Sequence, residues 1–314
     1  MRAIAENEFG GPITLMNLPI PEIGADEVLI RVRAAGVNPF DWKVADGVLK
    51  GEKEHRFPLI LGFDAAGVVE RVGVDVTRPF EGDEVYGYLS KPVMGEGTYA
   101  EYVGASAAIV AKKPEAVAFA EAAALPMPAL TAMDLVDAVD LGEGETVLMV
   151  GATGGVGSYA VQLAARRGAR VIATARGAND AFVRELGATE TIDHTREDLG
   201  ETVRAAHPGG IEAIIDMVSD PEVLSRMAGL VKEGGRIASS VFAADVESLA
   251  ERSIEAANIS MQPSAQRLEE LSWMVDAGEI FVRLERTIPL EKAREALEDS
   301  RSGHVRGKIA LLVN

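Results

Sequence analysis

The stretch T-V-L-M-V-G-A-T-G-G-V-G-S, Thr146 to Ser158, is the one around which the chain is organised. An apolar run, Val147 to Val150, stops at Gly151. Gly154, Gly155 and Gly157 follow, and a helical apolar pattern opens at Val156. Strand, glycine turn and helix in that order open a nucleotide-binding βαβ unit. Glycine lets the backbone approach a pyrophosphate, whose charge is met by free N–H groups and by the positive end of the helix. The spacing G-x-x-G-G-x-G is one residue longer than the usual fingerprint, so alone it is a weak signal. Its flanks strengthen it. Val156, Ala160, Leu163 and Ala164 recur at helical spacing, Arg166 and Arg167 occupy the last turn, Gly168 closes it, and Arg170 to Thr174 reads as a second strand. A G-x-x-x-x-G-K-[ST] loop is disfavoured, because Ser158 follows Gly157 and the lysine for terminal phosphates is missing.

Beyond Thr174 the alternation continues. Helices are expected near 179–186, 199–206, 222–231 and 246–256, and strands at 190–192, 213–216, 235–239 and 258–261. Such alternation builds a doubly wound parallel sheet, with ligands beyond the carboxyl ends of its strands. The first 114 residues differ. Short strands at 28–32, 59–61, 67–72 and 84–86 separated by glycine turns predict a rolled, mostly antiparallel domain. An alanine-rich helical stretch, 114–141, broken at Pro126 and Pro128, connects the two. After Pro263 come two amphipathic helices, 265–277 and 290–300, and a last strand, 308–313, which are too small for a core and are expected to rejoin the first domain. The division is therefore 1–122 with 263–314, and 123–262 as an inserted nucleotide domain.

A length of 314 residues and 47% hydrophobic content allow two cores. With 31 Lys+Arg against 49 Asp+Glu the net charge is −18, which disfavours a nucleic-acid partner. The chain has no cysteine, so disulfides and thiolate zinc sites are excluded, and a reducing compartment fits. No apolar run approaches about 18 residues and no signal sequence is visible, so neither a membrane span nor export is expected.

Several segments, in order, resemble the medium-chain dehydrogenase/reductase superfamily in its zinc-independent quinone oxidoreductase branch. They are A-A-G-V-N-P-F-D-W-K (34–43), G-F-D-A-A-G-V-V-E-R-V-G (62–73), G-D-E-V-Y-G (82–87), G-T-Y-A-E-Y (97–102), A-A-A-L-P (122–126), the glycine turn, and H-V-R-G-K (304–308). The resemblance spans almost the whole chain. It implies an α/β protein with a GroES-like, mostly antiparallel β domain and a Rossmann domain. Zinc-dependent relatives carry G-H-E where this chain has Gly62-Phe63-Asp64, and they need cysteines that are absent here. His55, His194, His207 and His304 are scattered without zinc spacing, so no metal is expected.

Cofactor choice is read at the end of the second strand. An NAD enzyme tends to place a carboxylate there for the ribose 2′-OH, but this chain has Ala175-Arg176, and a guanidinium can grip a 2′-phosphate. NADPH is predicted. The cofactor-binding set is Gly151, Thr153, Gly154, Gly155, Val156, Gly157, Thr174, Arg176 and Val218, to which the resemblance adds Asn38, Thr131, His194, Val241, Phe242, Arg306 and Lys308. At the reacting end the resemblance places Asn38 to Lys43 beside the nicotinamide. Lys43 stands where relatives often carry tyrosine, and it is expected to hydrogen-bond the acceptor oxygen as hydride arrives. Asp41 is read as a solvated loop residue with a pKa of about 3.9, a poor proton donor. Phe40, Trp42, Tyr88 and Met94 are the candidate acceptor walls.

The expected activity is hydride transfer from NADPH to a quinone or an α,β-unsaturated carbonyl. The alternatives are an alkenal/enone double-bond reductase without quinone activity, and an NADPH-binding sensor or structural protein. A cytoplasmic homodimer is expected from the resemblance.

Overall fold

A computed structural model describes residues 1–314, which divide into two compact units, Met1–Leu130 with Gln262–Asn314, and Thr131–Met261. The helix Pro126–Ala138 carries the chain from the first to the second. No helix is long and apolar enough to cross a membrane.

The second unit holds a six-stranded sheet. Its order is Glu190–Ile192, Arg170–Thr174, Thr146–Val150, Ile211–Asp216, Val231–Ser239, Glu255–Asn258, and every pairing is parallel. Thr146–Val150 is buried at all five positions, as a central strand covered on both faces must be. Strand order reverses between Thr146–Val150 and Ile211–Asp216. Connections on either side of such a reversal leave in opposite directions, which opens a crevice above the strand ends.

The first unit is built on Glu27–Gly36. Its burial alternates at Arg31 and Arg33, which stay exposed while their neighbours are buried. Residues 27–31 pair with Tyr102–Ser106 on one edge, whereas Ala34–Gly36 take Lys308–Leu312 there instead; Asp64–Val72 runs along the other edge. All of these pairings are antiparallel. One row across the sheet therefore aligns Ala310, Gly36, Asp64 and Tyr88. A smaller sheet joins Thr14–Asn17, Arg2–Glu6 and Leu59–Ile60.

Several expectations need correction. Helix 246–256 ends at Ala250, and the last parallel strand is Glu255–Asn258 rather than 258–261. The helix expected to run to Val231 stops at Met227, and Val231 already begins the next strand. Pro126 does not break a helix but starts one, where the missing N–H costs nothing. The helix Pro39–Ala45 and the strands Arg2–Glu6, Tyr102–Ser106 and Leu284–Pro289 were not anticipated.

Candidate functional site

In the second unit the chain leaves Thr146–Val150 through Gly151, whose φ of +92° is left-handed and favours glycine. The helix Gly155–Arg166 then packs tightly on the turn. A Cβ on Gly157 would lie 2.2 Å from the Gly151 carbonyl oxygen and 2.7 Å from Ala152 Cα. Gly154 is different. A Cβ there would meet only the Gly151 oxygen, at 3.5 Å, and its φ of −77° and ψ of 179° suit any residue. Nothing inside the chain requires glycine at 154, whereas a phosphate lying against the backbone would. The helix also has no side-chain cap and no acid in its first turn, leaving the N–H groups of Gly155, Val156 and Gly157 without helical acceptors. This arrangement fits a pyrophosphate.

Thr174 supports the turn. Its hydroxyl accepts from Gly151 N–H at 3.1 Å and lies 3.3 Å from the Met149 carbonyl, and the residue is buried. Thr153 sits half-buried in the turn itself. Ala175 is buried, and Arg176 is exposed with no ion pair in the chain. His194 is exposed one residue beyond Asp193, whose carboxylate accepts from Gly177 N–H at 2.8 Å and from the N–H and hydroxyl of Thr195. Those bonds, led by the Thr195 hydroxyl, hold its pKa down at about 2. Asp193 was missed in the sequence. Its only local signal is the Asp-x-Thr pattern of an Asx turn.

Asp216 and Ser239 were missed as well, at the carboxyl ends of neighbouring strands. Ser239 Oγ donates to Asp216 Oδ2 at 3.1 Å and accepts from Val241 and Ala243 N–H, both at 3.3 Å, while Asp216 Oδ1 accepts from Ser219 N–H. The pair ties down two loops that present exposed Val218, Val241 and Phe242. Phe242 has φ +60°, an unusual value for a bulky residue and a mark of strain held by its surroundings. Thr131 is nearly buried where this unit begins.

In the first unit Asn38 precedes the helix Pro39–Ala45. Its N–H donates to Asp41 Oδ2 at 2.7 Å, and Tyr99 OH donates to the same oxygen at 2.6 Å. The Asn38 amide is held at both ends: Nδ2 donates to Asp64 Oδ2 at 2.9 Å, and Oδ1 accepts from Lys308 Nζ, which also donates to the Val37 carbonyl. Asp64 Oδ1 accepts from Met127 N–H at 3.0 Å. Asn38, Asp41, Asp64 and Lys308 are all buried. Burial raises the Asp64 carboxyl to about 7, opposed by the Lys308 charge, and raises Asp41 to about 6, opposed mainly by the Tyr99 bond. Burial pulls Lys308 down against the two carboxylates. Two acids and one base thus share one buried cluster, and the Asn38 amide has one orientation.

One expectation about this set is corrected. Asp41 is not solvated but fully buried, because Tyr99 and the helix start close over it. Lys308 was expected to reach the cofactor; two of its three ammonium N–H donors go to Asn38 Oδ1 and the Val37 carbonyl. Arg306 is exposed, 3.6 Å from Glu285.

The aromatic walls separate. Phe40 packs on Phe63 with centroids 5.1 Å apart, and Phe63 stacks on Tyr88 at 5.5 Å. Burial raises the Tyr88 phenol, with Asp64 and Asp41 adding to the rise. Trp42 does not join them. Two residues apart on a helix point to different sides, and Trp42 instead lines a cavity with Glu6 and Arg301. Lys43, three residues from Phe40, shares its side of the helix and is exposed, with Nζ 5.6 Å from the Trp42 ring centre. Met94 is buried.

Two known families match: one described as alcohol dehydrogenase GroES-like domain, over residues 24–115, and one described as zinc-binding dehydrogenase, over residues 186–311. A chloroplast envelope quinone oxidoreductase homolog of Arabidopsis thaliana is 31% identical, over 98% of this chain and 97% of its own. An NADPH-dependent alkenal/one oxidoreductase of the same plant is 30% identical, over 99% of this chain and 79% of its own. The structure of Escherichia coli quinone oxidoreductase complexed with NADPH is similar over all of both chains, with a TM-score of 0.89 and 25% identity. With fold, glycine turn and end-to-end similarity in agreement, the chain belongs to the medium-chain dehydrogenase/reductase superfamily, in its quinone oxidoreductase branch.

Proposed function

We propose that this protein is an NADPH-dependent oxidoreductase that reduces quinones or α,β-unsaturated carbonyls. The observation that carries the reading is the turn at Gly154, open to a phosphate and uncapped, followed just past the end of the next strand, Arg170–Thr174, by a neutral Ala175 and an unpaired Arg176. The names of the plant and bacterial relatives support the same cofactor and acceptors.

NADPH, when bound, supplies the hydride. The chain's own residues do the rest. Gly154 to Gly157 receive the pyrophosphate, Arg176 the 2′-phosphate, and Val218, Val241 and Phe242 lie on loops held by Asp216 and Ser239. Asn38, fixed between Lys308 and Asp64, keeps its second amide N–H for cofactor or acceptor. Lys43 offers its ammonium to the acceptor oxygen, on which negative charge builds as hydride arrives at the conjugated carbon. Phe40, Phe63 and Tyr88 provide an aromatic wall for such an acceptor. Each turnover consumes one NADPH and one proton and leaves a hydroquinone or a saturated carbonyl.

A metal-free mechanism is supported by the donor set: the chain has no cysteine, and no three His, Asp or Glu side chains converge to hold a metal ion. The outer edge of Glu255–Asn258 has no partner strand in the chain, which supports a homodimer; a cytoplasmic setting completes the proposal. The test is an acceptor screen that follows NADPH and NADH consumption with a quinone and an enone of matched size. NADPH should be oxidised with at least one of them, and faster than NADH. Tight NADPH binding with no oxidation by any acceptor would instead make the protein a sensor.

A further inference from the structure

Tyr88 ends the strand Glu84–Tyr88 directly opposite Asp64 in the antiparallel register, so the two side chains leave the sheet on one face. Both Asp64 oxygens already have donors there, Asn38 Nδ2 at 2.9 Å and Met127 N–H at 3.0 Å. The Tyr88 ring stacks on Phe63, 23° from parallel, and Phe63 packs on Phe40. Tyr88 thus joins the aromatic wall to the Asn38–Asp64 pair.

Its hydroxyl is the part of the residue that the chain does not explain. Tyr86 and Tyr99 use theirs, donating at 2.6 Å to the Leu268 carbonyl and to Asp41 Oδ2. The Tyr88 hydroxyl makes no hydrogen bond within the chain, and unlike the Glu6 oxygens and Trp42 Nε1 it is not sealed from solvent. The residue keeps 9% of its surface exposed, so a ligand can reach it. A phenylalanine would stack on Phe63 equally well, so packing alone does not call for a phenol. Burial, Asp64 and Asp41 all push its ionisation up, which keeps the O–H a donor at neutral pH.

We propose that Tyr88 is a catalytic residue of the reduction: its O–H donates to the carbonyl oxygen of the bound acceptor and stabilises the negative charge that develops there. The inference rests on the reductase reading above and names a further donor besides Lys43. A carbonyl oxygen has two lone pairs, so both donors can serve it. As the hydride and its electron pair bond to the β-carbon of an enone, the alkene pair shifts toward the carbonyl carbon and the carbonyl π pair moves onto oxygen, where the Tyr88 O–H meets it. Tyr88 keeps its proton. The α-carbon takes one from solvent, which gives the saturated carbonyl and NADP⁺.

Tyr88→Phe keeps the ring on Phe63 and removes only the hydroxyl. Its Tm and NADPH affinity should match those of the unaltered protein, while kcat/KM for cyclohexenone falls by roughly 10- to 100-fold, the effect of one hydrogen bond to a developing charge. A second readout needs neither cofactor nor turnover. Acetophenone, isotope-labelled at the carbonyl carbon, offers an oxygen but no alkene to reduce. Its carbonyl stretch, followed by infrared difference spectroscopy, should lie lower on the unaltered protein than on Tyr88→Phe, because a hydrogen bond weakens the C=O bond. The proposal is overturned if kcat/KM is unchanged in Tyr88→Phe, if the stretch is the same in both proteins, or if acetophenone does not bind. Should the unaltered protein oxidise no NADPH with any acceptor, the reductase reading fails and the catalytic role with it, and the infrared comparison tells that failure apart from a missing hydrogen bond.

Discussion

Glycines of one turn do different work, and substitution can separate it. Gly157→Ala drives a Cβ into the Gly151 carbonyl and should cost about 1–3 kcal/mol of stability, read as a lowered Tm. Gly154→Ala meets no such obstacle, so Tm should hardly move, while the KM for NADPH rises because the methyl group occupies the phosphate's place. If both variants lost stability equally, Gly154 would be a packing glycine and the cradle would lose its support. Arg176 is tested in the same way. A charged hydrogen bond contributes about 1.5–3 kcal/mol, so Arg176→Ala should lower kcat/KM for NADPH by roughly 10- to 100-fold and leave NADH untouched. An equal loss with both cofactors would rule out a contact to the 2′-phosphate. The turn itself was legible in the sequence because it depends on neighbours only a few residues away; the difference between Gly154 and Gly157 was not, because it depends on how closely the helix packs on Gly151 and Ala152.

Between strands, the Asp216–Ser239 pair joins two loop starts that lie 23 positions apart along the chain. Ser239→Ala removes three hydrogen bonds and should release the Val241–Phe242 loop. NADPH affinity should fall several-fold and Tm should drop, corresponding to about 1–3 kcal/mol for the unsatisfied partners. Unchanged affinity, measured by NADPH fluorescence titration, would show that the loop does not hold the cofactor. The parallel sheet was readable because its strands and helices alternate in long apolar periods. The first unit was less so: Arg2–Glu6 and Tyr102–Ser106 are short, and Leu59–Ile60 and Glu27–Gly36, with which they pair, lie far along the chain. The Asn38 network was illegible for the same reason. Lys308 meets Asn38 across 270 positions, only because Lys308–Leu312 pairs with Ala34–Gly36. Trp42 was misplaced because the helix Pro39–Ala45, which turns it to a different side from Phe40, was not anticipated.

For the molecule as a whole, three buried acids set a pH dependence opposite to the common one. Glu6, Asp41 and Asp64 have carboxyls raised to about 7, 6 and 7 from ordinary values of 4.5, 3.8 and 3.8. The folded state holds these protons more tightly than the unfolded chain, so stability falls as pH rises from about 4 to 7 and then levels off. Self-repulsion from a net charge of −18 acts in the same direction. Urea unfolding should therefore give greater stability at pH 5.5 than at pH 8, and Glu6→Gln should flatten the slope by up to about one proton. Stability rising across that range would contradict the buried, weakly compensated carboxylates. The activity has a more direct test: a single turnover with NADPH deuterated at the transferable C4 position and one equivalent of a small enone. The proposed chemistry predicts loss of NADPH absorbance and a product carrying deuterium at the β-carbon. NADPH that binds but stays reduced, with the enone and a matched quinone alike, would contradict it.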